Sequence, residues 1–271
     1  EDAKVVKSIS ISGPTKTEYL SSESFDYTGL KINITYTSGT TATIDAKPYT
    51  TYTTNTTDSD AVRHNVTVKY GGKTATTKTY KKEWYGTELG VWYYYKNKTK
   101  VVGDQTLKWK GKTFTYHFVS DGKMYTGWRN DNGEYRYYIE WDNNKLGITS
   151  GYLDPSQKTD WLANEGMERG VLLTNRWAHI RSADGNYYWY YFGDGGWMKK
   201  GWQQIGGYWY YMNASGQMLT GWVSLDGYWY YLKPAGFSGW SGPEGSMLAN
   251  TSAYIGNKTY KFDASGHCLN P

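Results

Sequence analysis

Trp202 and Trp222 lie 20 residues apart, and the residues between them repeat. Gly207 and Gly227 keep that spacing, as do Tyr208 and Tyr228, Trp209 and Trp229, Tyr210 and Tyr230, and Tyr211 and Tyr231. The unit reads Gly-Trp-x4-Gly-x-Trp-Tyr-Tyr-x4-Gly-x-Met-x-x-Gly. A fixed period of this length marks a fold in which each repeat is one supersecondary unit. So short a unit cannot enclose a core, so it must bury its apolar face against the next copy.

Further copies extend both ways. Gly196-Trp197-Met198-Lys199-Lys200-Gly201 closes the copy that holds Trp177 and Trp189-Tyr190-Tyr191. Its two Trp are 12 residues apart, against 7 in the Trp202 copy, so a distorted set is expected there. A copy starting at Trp128 places Tyr135 where Trp209 stands, and Gly122-Lys123-Met124 closes a degenerate copy around Trp109. The Trp222 copy carries an insertion before Gly245-Ser246-Met247, and the Trp-less last copy places Cys268 in the Met slot, as a cap.

Each unit reads as a β-hairpin. With Gly206-Gly207 as a two-residue turn, Ile205 faces Tyr208, Gln204 faces Trp209, Gln203 faces Tyr210 and Trp202 faces Tyr211. Side chains alternate across the ribbon, so Trp202, Trp209 and Tyr211 share one face. Tyr208, Tyr210 and Met212 share the other.

Composition agrees with a fold that packs rings. Aromatics make up 18% of the 271 residues, while Val, Ile, Leu and Phe together number 41. The net charge is only +5, and abundant aromatics with low net charge argue against disorder. All 14 Trp lie at or after Trp84, whereas residues 1–83 hold 19 Thr and no Trp. The expected boundary is therefore at residue 83. Before it, alternation over Val5–Ile11, Leu30–Tyr36, Thr41–Ile44, Asn65–Tyr70 and Thr74–Tyr80, with turns at Ser38-Gly39 and Gly71-Gly72, predicts an antiparallel β-sandwich.

Residues Gly13-Pro14-Thr15-Lys16-Thr17-Glu18-Tyr19, Phe25-Asp26, Gly29-Leu30 and Thr35–Thr41, with the run Val66–Lys73, resemble a bacterial Ig-like domain. That resemblance implies a spacer on a surface protein. The repeats resemble the choline-binding, or cell-wall-binding, repeats of Gram-positive surface proteins. The residues that carry it are Trp202-x4-Gly207-x-Trp209-Tyr210-Tyr211 and Gly216-x-Met218-x-Thr220-Gly221. The resemblance implies a β-hairpin solenoid with ligand sites between consecutive hairpins, walled by aromatics and a Met. The whole chain is then all-β: an Ig-like sandwich over 1–83 and a choline-binding-type repeat module over 84–271. Its expected place is secreted and attached to the cell wall.

A quaternary ammonium cannot donate a hydrogen bond and is held by aromatic faces, Trp best. Candidate ligand residues are Trp177, Trp189 and Tyr191; Trp202, Trp209 and Tyr211; and Trp222, Trp229 and Tyr231. Met198 and Met218 are candidate soft walls. Against this stands plain packing: with few aliphatics, most rings must be core, and Tyr210 and Tyr230 on the opposite face are expected to be core. The expected partner is choline-bearing teichoic acid or cell-wall polysaccharide. Flat Trp and Tyr faces also stack on sugars, so a glucan or host glycan is the alternative, and a stalk without ligand a third. The end of such an array is a common dimer surface, so a homodimer is a candidate assembly.

Other chemistry has little support in the sequence. No apolar run approaches the ~18 residues of a membrane span. One cysteine excludes a disulfide framework and a cysteine zinc site, and four scattered histidines offer little for a metal. No basic block points to nucleic acid. Asp184-Gly185-Asn186 and Asp194-Gly195-Gly196 read as turns rather than calcium ligands. No catalytic triad, HExxH or phosphate loop occurs, and nothing positions Asp160, Glu165 and Glu168 as paired acids. The expectation is a non-catalytic module without cofactor.

Overall fold

The computed structural model describes residues 4–56, 61–86, 91–109, 111–140, 147–149 and 169–271. The region 155–169, whose sequence suggests a longer loop or one helical turn inserted in the array, falls outside them but for Arg169, as do Asp160, Glu165 and Glu168. The described residues are almost entirely β-structure, and two compact units are distinguished. One comprises residues 1–105 with 118–124, the other 106–117 with 125–271. No helix among the described residues is long and apolar enough to cross a membrane.

The first unit begins with seven strands: β1 (Val6–Ser12), β2 (Glu18–Tyr19), β3 (Lys31–Tyr36), β4 (Thr41–Asp45), β5 (Thr50–Thr54), β6 (Val62–Tyr70) and β7 (Lys73–Lys81). They form two sheets, ordered β1-β3-β4 and β2-β7-β6-β5. The alternating apolar residues meet in one core: Ile32 and Ile34 from β3 pack with Val66 and Val68 from β6, and with Tyr19, Phe25 and Leu30. The intervening residues are short and polar: Ser10, Asn33 and Thr43 stand in line across β1, β3 and β4. The alternating runs are therefore strands as expected. The two-residue β2, which pairs parallel to β7, and β5 had no clear alternation to betray them.

Among the described residues of this unit Arg63, His64, Thr79 and Lys81 are buried polar groups. His64 is fully enclosed, with Tyr19, Phe25 and Tyr52 around its ring and its Nδ1 2.7 Å from the Thr79 hydroxyl. Burial, helped by the charge of Arg63, pulls its pKa down to about 4. Lys81, the last residue of β7, is also buried. Its ammonium lies 3.9 Å from the Tyr85 ring centroid and 5.9 Å from that of Tyr95. Those two rings belong to the first hairpin, β8 (Glu83–Gly86) with β9 (Trp92–Lys96), which is followed by β10 (Thr99–Lys100). Tyr85, Tyr93 and Tyr95 bury one another there, with Ala61 and Val91 against them. The change from aliphatic to aromatic packing at residue 83 thus lies inside the first compact unit.

The second hairpin, β11 (Gly103–Trp109) with β12 (Lys112–Phe118), contributes to both units. The third is β13 (Gly127–Asp131) with β14 (Glu134–Tyr138). After β15 (Gly147–Thr149) come the fourth, β16 (Arg176–Arg181) with β17 (Tyr187–Phe192), and the fifth, β18 (Gly201–Ile205) with β19 (Tyr208–Met212). The sixth is β20 (Gly221–Leu225) with β21 (Tyr228–Leu232), and the seventh β22 (Thr251–Ile255) with β23 (Lys258–Phe262). The register of the fifth is the expected one: Trp202 opposite Tyr211, Gln203 opposite Tyr210, Gln204 opposite Trp209 and Ile205 opposite Tyr208.

Consecutive hairpins are joined at one recurring place. The residue in the closing Met slot pairs with the last strand residue of its own hairpin: Met218 with Met212, Met247 with Leu232, Cys268 with Phe262. Its backbone N–H then donates to the hairpin before. Met218 donates to the Trp189 carbonyl at 2.8 Å, Met247 to Trp209 at 2.8 Å and Cys268 to Trp229 at 2.7 Å. The degenerate copies keep the bond: Met198 donates to Tyr135, Leu172 to Thr115 and Met124 to Trp92. This places Leu172 in the Met slot of the third copy and Thr115 in the Trp slot of the second.

The closing glycine has a double reason. Gly216 has φ +78°, and a Cβ there would overlap the Met198 sulfur of the preceding hairpin; Gly245 stands in the same way on Met218. The methionines therefore form a column, each capped by the next closing glycine.

Two outcomes are expected. Because His64 binds a proton less readily folded than unfolded, the stability of the first unit should fall as pH drops from about 6.5 towards 4. Urea unfolding of the wild type and His64→Gln across that range tests this, the variant losing that part of the pH dependence. Gly216→Ala should destabilise the repeat array by ~2 kcal/mol or more, through both positive φ and the clash with Met198, read as a lowered unfolding midpoint.

Candidate functional site

The aromatic faces meet between hairpins. In the fifth, Trp202 and Trp209 stand 6.5 Å apart between ring centroids with planes at 84°, forming a corner. Tyr211 packs edgewise against Trp202 at 5.2 Å from within the same hairpin. From the sixth hairpin Tyr230 closes on Trp202 at 4.9 Å. The next interface repeats the set: Trp222 and Trp229 at 6.3 Å and 83°, Tyr231 at 5.0 Å, and Tyr260 of the seventh hairpin at 4.7 Å. Trp209 is 42% exposed and Trp229 44%, although both occupy fixed slots in a hydrogen-bonded hairpin.

The rings thus divide by role. Trp202 and Trp222 are half-buried hubs. Tyr211 and Tyr231 prop them from their own hairpins, and burial pushes the Tyr231 hydroxyl pKa up. Tyr210 and Tyr230 are buried, as their face implied, but against the Trp of the preceding hairpin, so each also walls the space between hairpins. Strand alternation assigns faces within one hairpin and says nothing of what crosses to the next.

The Trp177 copy keeps the common register despite its longer spacing. Trp177 faces Tyr191 and His179 faces Trp189; the extra residues are taken up at the tip, where Ser182 and Asn186 close the turn. The expected distortion is therefore confined to the turn. Both indoles are buried nonetheless. Trp177 packs on Tyr210 at 4.9 Å and on Tyr191 at 5.2 Å, and the His179 ring lies 4.9 Å over Trp189 at 32°. In addition β15 pairs along the outer edge of β16, Thr149 opposite Trp177.

The methionine walls follow the hydrogen-bonded join. Met218 belongs to the cluster of Trp177, Trp189 and Tyr210, and Met198 is joined to Tyr135 of the third hairpin. For the Trp202 set the corresponding wall is Met247, which clusters with Tyr230 and Trp202; for the Trp222 set it is Cys268. Two sets were not singled out from sequence. Trp128, Tyr135 and Tyr137 of the third hairpin meet Tyr190 of the fourth, with Trp128–Tyr190 at 4.9 Å. Trp84, Trp92 and Tyr94 form the matching set in the first. The +7 offset of Tyr135 from Trp128 was a usable signal; the Trp84–Trp92 offset of 8 departs from it and hides that set. Trp109, by contrast, ends its strand at a hairpin tip.

The Tyr230 hydroxyl pKa is raised by burial first and then by the nearby Asp226, Tyr228 and Asp263. Asp184 closes its turn as expected: it accepts the Asn186 backbone N–H at 2.9 Å and the Tyr188 hydroxyl at 2.7 Å, bonds that hold its pKa low. No cluster of three or more potential metal ligands occurs among the described residues.

Comparison with known proteins agrees with this arrangement. The choline-binding repeat family model matches residues 199–236, the fifth hairpin and most of the sixth copy. The choline-binding domain of Spr1274 from Streptococcus pneumoniae is 37% identical over 27% of this chain and 97% of its own, with a TM-score of 0.23. The chain carries choline-binding repeats, matched by their family model over residues 199–236. Among other solved structures, choline binding protein F of S. pneumoniae is 19% identical over 97% of this chain and 79% of its own, with a TM-score of 0.49. A pneumococcal cell wall endolysin from phage Cp-1, solved with choline, is 21% identical over 65% of this chain and 40% of its own, with a TM-score of 0.32. No curated protein matches the sequence. Within the choline-binding repeats described above, the Gly-Trp, Trp-Tyr-Tyr and Gly-x-Met elements supply the corner, the closing Tyr and the join.

Buried and exposed rings should respond differently to removal. Tyr230→Leu should lower stability by ~1–2 kcal/mol through the lost ring contact with Trp202. Trp209→Ala should leave it nearly unchanged. Thermal unfolding of the two variants beside the wild type checks this.

Proposed function

We propose that this chain attaches a protein to a bacterial cell surface by binding choline groups of the wall polymer. The binding places are the fifth–sixth and sixth–seventh interfaces. The observation that carries this reading is the pair of perpendicular indoles at each of them, one half exposed on a rigid hairpin and closed by a tyrosine from the next. A right-angled corner suits a compact trimethylammonium, which touches several faces at once. A sugar ring calls for one broad platform. Each cation–π contact contributes roughly 0.5–2 kcal/mol, and because the trimethylammonium cannot hydrogen-bond, the rings must supply most of the affinity. Choline-bearing teichoic acid offers many such groups, so two weak sites gain by avidity.

In this reading Trp202, Trp209, Tyr230 and Met247 line one cage, and Trp222, Trp229, Tyr260 and Cys268 the other. Tyr211 and Tyr231 hold the hub tryptophans upright. The buried Trp177 and Trp189 and the half-buried Tyr191 are framework, clustered with Met218. The two-sheet part of the first unit serves as a spacer, its faces covered by Ser, Thr and Asn. The chain acts by attachment rather than by catalysis.

Titration of choline against intrinsic tryptophan fluorescence tests this. Choline should give a saturable change, and Trp209→Ala and Trp229→Ala should each weaken it about tenfold at one site. Ethanolamine, whose ammonium is better served by water, should bind more weakly. A response to α-glucans with none to choline would overturn the reading.

A further inference from the structure

The third–fourth interface has the same ring arrangement as the two exposed cages, but one residue sets it apart. Trp128 and Tyr135 stand 6.4 Å apart at 80°, as Trp202 and Trp209 do, and Tyr190 closes on Trp128 at the same 4.9 Å as Tyr230 on Trp202. Met198 is joined to Tyr135 as Met247 is to Trp209. Two residues after this methionine the chain carries Lys200. The corresponding residue after Met218 is Thr220, after Met247 it is Ala249, and after Cys268 it is Asn270. Only Lys200 among these four is charged.

Its ammonium reaches back to the third hairpin. It donates to the Gly133 carbonyl at 3.4 Å and lies 5.8 Å from the centroid of the Tyr135 ring. Tyr135 is correspondingly half-buried, where Trp209 and Trp229 are exposed. Beside it the Arg136 guanidinium lies 4.6 Å from the Trp197 ring and pairs at 2.8 Å with Asp131, a carboxylate it shares with Arg129.

The geometry points to a guarded third cage: Trp128, Tyr135, Tyr190 and Met198 form a quaternary-ammonium site that this chain's own Lys200 covers. A ligand cation entering it must displace a like charge from the Tyr135 face, so the site is disfavoured relative to the two unguarded ones. This rests on the reading of the exposed cages as choline sites. The presence of Lys200 on Tyr135 does not depend on that reading and is tested without ligand.

Lysine labelled with 13C at Cε gives the first measurement, with the Lys200 signal assigned by its loss in Lys200→Thr. The tyrosine ring current should shift that signal upfield, and Tyr135→Leu should return it towards the position of exposed lysines. An unshifted signal, or one indifferent to Tyr135→Leu, overturns the guard. The second measurement is calorimetric choline stoichiometry. Lys200→Thr should bind one more equivalent of choline than the wild type, and adding Trp128→Ala should remove that gain. An unchanged count in Lys200→Thr overturns the third cage. If neither protein binds choline, the proposed function fails and with it the guarded site, while the labelled-lysine signal still decides where Lys200 rests.

Discussion

A single backbone bond of fixed register underlies the repeat array: the N–H in the closing Met slot of one hairpin to the carbonyl in the Trp slot of the hairpin before. A two-stranded hairpin is marginal alone in water, so each unit depends on its neighbour. The bond decides which rings meet. It sets the middle tyrosine of the later hairpin against the first tryptophan of the earlier one, at 4.7–4.9 Å in four successive interfaces. Because the carbonyl belongs to the backbone, the slot residue is free to vary. Trp, Tyr and Thr all serve, which is why the second hairpin keeps its place in the register with Thr115 in that slot.

The same bond separates structural from available rings. Hub tryptophans and middle tyrosines are pressed together by the join and wall the space between hairpins. The slot tryptophan lends only its carbonyl, and its indole is left to whatever covers it. Over Trp189 that is His179, and over Tyr135 the Lys200 ammonium approaches, while Trp209 and Trp229 remain exposed. Cations over rings recur elsewhere in the chain. Lys100, against which a Cβ at Gly122 would press, holds its ammonium 3.7 Å from Tyr93, and Lys81 is enclosed by Tyr85 and Tyr95. An aromatic-rich fold with few aliphatics uses the same contact for its own stability and for the ligand proposed here.

Much of this was legible in the sequence because the signals were local. The Gly206-Gly207 turn and period-2 alternation were enough to give the hairpin register pair by pair, and the β-branched runs marked β1, β3, β4, β6 and β7. What crosses from one hairpin to the next was not legible. Tyr230 and Met247 pack against Trp202 from 28 and 45 residues further along the sequence, and no strand pattern assigns them to it. The exposure of Trp209 and the burial of Trp189 were hidden for the same reason, since both occupy the same slot and differ only in what lies above them. The longer tip of the fourth hairpin suggested a distorted set, yet tips absorb length without disturbing the register behind them.

The most direct measurement is a crystal structure of the chain grown with choline. The account predicts trimethylammonium density in the corner of Trp202 and Trp209 under Tyr230, and in that of Trp222 and Trp229 under Tyr260, with none at the buried Trp177 and Trp189. Both corners empty, or choline bound only away from the hairpin interfaces, would contradict it.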